Sequence, residues 1–98
     1  MAEINWTEEA ERWLKDIHDY IAEDNPSAAI RVVEGIYQKV QSLRQFPELG
    51  YRYDRKLNQH VRILLSGHYR IAYLIKGDGN IDILGVFHGA LDIDRYLL

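Results

Sequence analysis

Two arginines, Arg62 and Arg70, stand inside the most apolar stretch of the chain, HVRILLSGHYRIAYLI, from His60 to Ile75. A guanidinium group is a planar fork of N–H donors that pairs bidentately with phosphate or carboxylate at half-buried sites. A single such residue commonly lays its stem over neighbouring aliphatics. Two in one hairpin, within a basic segment, point instead to an anion-binding surface. His88, closing the run IDILGVFH, is the side chain near that strand end whose ordinary pKa suits proton transfer near neutrality. The four histidines form no i, i+4 pair and no H-x-E motif, and there is no cysteine. No metal and no thiolate nucleophile are therefore expected. No glycine-rich loop precedes a helix, so no cofactor is expected either. Tyr37, Tyr51 and Tyr53 lie near basic residues, where they can stack on bases or simply line a core edge.

Charge supports the same segment. The 98 residues carry a net charge of −3. Residues 1–50 hold ten acids against five Lys/Arg, whereas residues 51–76 hold Asp54 alone against Arg52, Arg55, Lys56, Arg62, Arg70 and Lys76. A basic stretch on an acidic chain is expected either to meet an anionic partner or to pair with the acidic helices. At 47% apolar residues the chain is expected to fold as one domain over residues 1–98, around a single core. Its start, MAEINWTEEAE, is acidic and lacks the apolar run of a signal peptide. No stretch approaches the roughly 20 apolar residues of a membrane span. A soluble, cytoplasmic protein with no membrane partner is expected.

These side chains need elements to hold them. A short strand is predicted at Glu3–Trp6. Thr7 then caps a helix running to Glu23, with Glu8 and Glu9 in its first turn and an apolar stripe at Ala10, Trp13, Leu14, Ile17 and Ile21. Asn25 and Pro26 start a second helix whose stripe is Ala29, Val32, Val33, Ile36, Val40 and Leu43, ending at Pro47 in FPELG. The short link makes the pair an antiparallel hairpin. From Tyr51 the period becomes two. Strands are predicted on either side of Ser66-Gly67-His68 and again after a turn at Asp78-Gly79, followed by a short helix or tail at ALDIDRYLL. Asp92 and Asp94 read as part of that terminal turn. The order β-α-α-β-β-β is α+β, a helical hairpin packed on one face of an antiparallel sheet.

A three-residue loop at Ser66-Gly67-His68 makes facing residue numbers sum to 134. Val61, Ile63, Leu65, Tyr69, Ile71, Tyr73 and Ile75 then share the face under the helices. Arg62, Leu64, Arg70, Ala72, Leu74 and Lys76 share the other, as a mixed aliphatic and cationic surface. A two-residue loop at Ser66-Gly67 would break that segregation, so the longer loop is preferred. The facing of His88 depends on the next turn. A two-residue loop at Asp78-Gly79 sets it opposite Tyr69 on the helix side, and an odd-length loop sets it with Arg70.

The segments YIAEDNPSAA, FPELG, YRIAY and VFHG, in this order and spacing from Ile4 to Leu97, resemble the RelE/ParE superfamily of bacterial type II toxins. That resemblance implies a sheet flanked by a helical hairpin, and a cognate antitoxin as partner. It implies one of two targets: messenger RNA in the ribosome for RelE-like members, or DNA gyrase for ParE-like members. A RelE-like chain would be an endoribonuclease, with Arg70 as the cation on the scissile phosphate and Arg62 on a flanking one. His88 or Tyr96 would then serve as general acid or base. Such relatives often carry two arginines after the HG of the last strand, where this chain has Ala90 and Leu91. The long helical hairpin and its NPSAA turn lean toward the ParE-like side. An antitoxin-binding module without toxicity is the third alternative. In every case Arg62, Leu64, Arg70, Leu74 and Lys76 are the residues expected to receive a phosphate or an acidic, aliphatic antitoxin segment.

Overall fold

A computed structural model describes residues 2–53, 60–89 and 95. The elements run β1 (Ile4–Trp6), α1 (Glu8–Ala22), α2 (Pro26–Gln41), a 3-10 turn (Ser42–Arg44), β2 (Tyr51–Arg52), β3 (Val61–Ser66), β4 (Tyr69–Ile75) and β5 (Ile81–His88). The five strands form one sheet in the order β1-β5-β4-β3-β2.

Local chemistry sets the helix starts. The Thr7 side chain accepts from Ala10 N–H at 3.1 Å, and its hydroxyl donates to the Ile83 carbonyl at 2.7 Å. One residue therefore caps α1 and ties its start to β5. Asn25 accepts from Ala28 N–H at 3.1 Å, and Pro26 follows at the first helical position. The second helix stops earlier than Pro47. It tightens into the 3-10 turn at Ser42, where Gln45 and Phe46 N–H both reach the Ser42 carbonyl.

The hairpin packs Ala10, Leu14, Ile36, Val40 and Leu43 onto Leu64, Ile71, Tyr73, Ile81, Ile83 and Val86, all at most 4% exposed. This main core holds most of the buried apolar surface. A second, smaller cluster lies on the opposite face: Ile63, Ala72 and Phe87, with Trp13, Tyr53 and Leu84 packed against it. The central strands thus bury apolar residues on both faces.

The sheet departs from the predicted one in three ways. β1 runs parallel to β5, pairing Ile4 with Ile81 and Trp6 with Ile83, while the other pairs are antiparallel. A parallel neighbour requires a long crossover, and here the helical hairpin and three strands supply it. The β3–β4 turn contains two residues, Gly67 and His68, because Ser66 pairs with Tyr69. Gly67 has φ +58°, the sign that two-residue hairpin turns demand. Facing residues therefore sum to 135, not 134. The β4–β5 turn has three residues between the Lys76–Asn80 closing pair, with Gly79 at φ +88° and Asp78 accepting from Asn80 N–H. An irregularity then follows: Tyr73 pairs with Ile83 but Ala72 pairs with Gly85, leaving Leu84 as an extra residue in β5. Among the described residues no helix is long and apolar enough to cross a membrane.

Candidate functional site

The one-residue change in the first turn reverses half the predicted surface. Arg62 lies opposite Tyr73, and Leu64 opposite Ile71, so both belong to the helix side. Leu64 is 3% exposed and is core. Arg70 lies between Leu65 and Phe87, on the far face with Ile63 and Ala72. The two arginines therefore project from opposite sides of the sheet and form no joint anion clamp. Arg70, Leu74 and Lys76 do remain in one far-face row, spanning about 20 Å at about 3.3 Å per residue. Leu65, opposite Arg70, adds a 56% exposed aliphatic to that face. Lys76 reaches Asp82 at 3.5 Å, and an Arg70 Nη donates to the Gly89 carbonyl at 3.3 Å.

Arg62 has a definite task. Its Nη1 donates to the Gly50 carbonyl at 2.6 Å and to the Glu48 carbonyl at 3.3 Å. Tyr73 completes the hold: its buried hydroxyl donates to the Pro47 carbonyl at 2.6 Å and accepts from Gly50 N–H at 2.9 Å. Burial pushes the Tyr73 phenol above its ordinary pKa, and the Gly50 hydrogen bond and the Arg62 charge hold it partly down. Gly50 must lack a side chain. A Cβ there would stand 2.6 Å from the Ile63 carbonyl oxygen and 2.8 Å from the Tyr73 ring. The motifs FPELG and YRIAY are thus two halves of one lock, closed by the second tyrosine of the latter.

His88 faces Tyr69, their rings 5.8 Å apart and nearly perpendicular. The turn is odd-length, which would have grouped His88 with Arg70, but the extra Leu84 restores the opposite parity. Proton-transfer group and cation consequently lie on different faces. Burial raises the Tyr69 pKa. Tyr96 lies outside the described residues, as do Asp54, Arg55, Lys56, Ala90, Leu91, Asp92 and Asp94. Among the described residues no cluster of three His, Asp or Glu could hold a metal ion.

One feature the periodicity did not single out is the exposure of Phe46 and Leu49, at 60% and 49%. Both flank the locked Pro47–Gly50 backbone. The available signal was the pair of large apolar residues on either side of a proline in FPELG.

A helical hairpin over one face of a five-stranded sheet, with one parallel edge strand and a cationic central strand, defines the class of small RelE/ParE-type toxins. The chain belongs to the ParE family within it: residues 4–93 match the family described as "ParE toxin of type II toxin-antitoxin system, parDE". The family resemblance carried by YIAEDNPSAA, FPELG, YRIAY and VFHG is thereby borne out. The chain is similar to the putative toxin Y4kP of Sinorhizobium fredii, at 39% identity over 87% of this chain and 85% of the relative. It is also similar to toxin RelE2 of Caulobacter vibrioides, at 31% identity over 92% and 98% of the two chains. Among solved structures, a chain of the chromosomal ParDE toxin–antitoxin system of P. aeruginosa superposes with a TM-score of 0.73 at 26% identity, covering 90% of this chain and 96% of that one. A chain of the RelBE2 toxin–antitoxin complex of Mycobacterium tuberculosis shares the fold at a TM-score of 0.58 and 24% identity, covering 89% and 96%.

Proposed function

We propose that this type II toxin arrests bacterial growth by inhibiting DNA gyrase when free, and that a cognate antitoxin silences it. One observation carries the choice of target: Arg70 and His88 project from opposite faces of the sheet. Metal-free cleavage of RNA needs a cation and a proton-transfer group at the same phosphate, and these two do not converge on one. Arg62, the other phosphate candidate, is committed to loop carbonyls. The parDE description of the family and the likeness to the P. aeruginosa ParDE chain support the same target. The two structural neighbours come from toxin–antitoxin systems, which supports an antitoxin partner. The far-face row Arg70, Leu74 and Lys76, with Leu65, is suited to an acidic and aliphatic segment of such a partner.

Expression of the chain alone in bacteria tests the target. Growth arrest accompanied by trapped gyrase–DNA complexes and a DNA-damage response is the expected result. Arrest with cleaved transcripts, lost on Arg70→Ala and without trapped gyrase, would assign a ribosome-dependent endoribonuclease instead. Unimpaired growth would leave an antitoxin-binding module without toxicity.

A further inference from the structure

Between the loop after the 3-10 turn and the end of β4 lies an open apolar groove of about 620 Å³, lined by Phe46, Pro47, Glu48, Leu49, Ile75 and Gly79. Phe46 and Leu49 stand on it more than half and about half exposed, a costly arrangement unless something covers them. Their backbone is not slack. Tyr73 holds the Pro47 carbonyl and the Gly50 N–H, Arg62 holds the Glu48 and Gly50 carbonyls, and Gly50 is pressed against β3. A buried phenol and a guanidinium thus fix the one loop that displays two bulky apolar side chains to solvent. Such pre-organisation lowers the ordering cost of association.

The rim selects the partner. Arg44 precedes Phe46 by two residues, Arg52 follows Gly50 by two, and Lys76 follows Ile75; all three are exposed. Glu48 and Asp78 are the nearby acids, so the rim is net positive on a chain of net charge −3. A small ligand is a poor fit, because the groove is open and the Glu48 carbonyl is already engaged by Arg62. We propose that the groove is a docking site for an acidic segment of the cognate antitoxin, which inserts aliphatic or aromatic side chains between Phe46, Leu49 and Ile75 and sets carboxylates against Arg44, Arg52 and Lys76. This rests on the antitoxin partnership proposed above and adds the place and chemistry of contact.

The probe is the purified antitoxin encoded in the adjoining reading frame, titrated calorimetrically into the full chain. Phe46→Ser with Leu49→Ser is compared with Tyr20→Ser with Ile30→Ser, a control pair on the helices at 79% and 53% exposure. Both pairs are exposed, and circular dichroism verifies the fold of each variant. The groove pair is expected to weaken binding at least about tenfold, as loss of central apolar anchors does, and the control pair less than about twofold. Arg44→Glu is expected to weaken binding further and to flatten its salt dependence. Unchanged affinity in the groove pair would overturn the docking site while leaving the antitoxin partnership intact. No binding by the native chain would overturn that partnership and the docking site with it. A free chain that dimerises, and becomes monomeric in the groove pair, would make a second copy the occupant and overturn the proposal.

Discussion

Replacing Tyr73 by Phe removes one oxygen atom from a side chain that is fully buried, and the lock on the 47–50 loop allows the cost to be worked out. Two hydrogen bonds are lost, each worth about 1 kcal/mol net in a folded protein. The Pro47 carbonyl is partly buried and regains water, but Gly50 N–H loses its acceptor inside the structure. A buried donor left without a partner costs about 1–3 kcal/mol by itself. A total of about 2–3 kcal/mol is therefore expected, a large share of the roughly 5–15 kcal/mol typical of a small domain. With an unfolding entropy of about 0.2 kcal/mol/K for some 100 residues, the melting temperature should fall by about 10–15 °C. Urea and thermal unfolding followed by far-ultraviolet circular dichroism measure both quantities. Tyr69→Phe serves as the control and should change stability by less than about 0.5 kcal/mol. The linkage to pH gives a second readout. Burial raises the folded-state pKa of Tyr73 above the 10.0 of an unperturbed tyrosine. The folded chain then holds its proton to higher pH than the unfolded one, so this stability is complete below pH 10.0 and is lost as pH rises through the folded value. Tyr69 is shifted in the same direction by its burial. The alkaline decline should therefore be shallower in Tyr73→Phe than in the native chain, without vanishing. A Tyr73→Phe protein within about 0.5 kcal/mol of native would refute the lock, and the loop would have to be held by packing alone.

Two further substitutions probe the same framework. Gly50→Ala puts a methyl group 2.6 Å from the Ile63 carbonyl oxygen, and backbone rather than a flexible side chain must move; a loss of about 2 kcal/mol or more is expected by urea titration, with reduced soluble yield. Thr7→Ala removes both the α1 cap and the bond to the Ile83 carbonyl, so about 1–2 kcal/mol should be lost, while Thr7→Ser should restore most of it.

The helical hairpin was legible because its rules are local. Thr7, Asn25 and Pro26 act within one turn of themselves, and the stripe at Ala10 and Leu14 or Ile36 and Val40 repeats at the helical period. The facing of β3 and β4 was not legible, because alternation reveals a face only when one side of the sheet is polar. Here Ile63 and Ala72 are as buried on one side as Leu64 and Ile71 are on the other, so either parity gives an apolar face. One residue of turn length then decides everything, and SGH is compatible with a loop of two or three. His88 was a harder case. Its facing is set by an odd turn and a compensating extra residue, two parity changes that cancel. Gly85 was the visible sign of the second, since a glycine inside an apolar strand often marks a bulge; here a Cβ at that position would stand 2.5 Å from the Phe87 ring.

Arg62 shows why a charged residue in an apolar strand is an ambiguous signal of function. An arginine there means that strong donors are needed at the end of a long stem, and sequence does not say whether the acceptor is a ligand or the chain itself. The 3-10 turn ends at Arg44, and the chain must still travel from there to β2 across a buried Gly50 whose carbonyl no strand partner receives. A guanidinium emerging from the adjacent strand reaches that carbonyl and a second one two residues earlier, which no shorter side chain on β3 could do. Arg70 sits in the same hairpin, eight residues on, yet beside the exposed Leu65 on the other face. The two arginines thus answer to different demands: Arg62 holds the loop that displays Phe46 and Leu49, and Arg70 keeps its charge at the surface where a partner can meet it. Substituting each alone separates these roles, since Arg62→Met should lower stability as Tyr73→Phe does, whereas Arg70→Met should leave the loop intact.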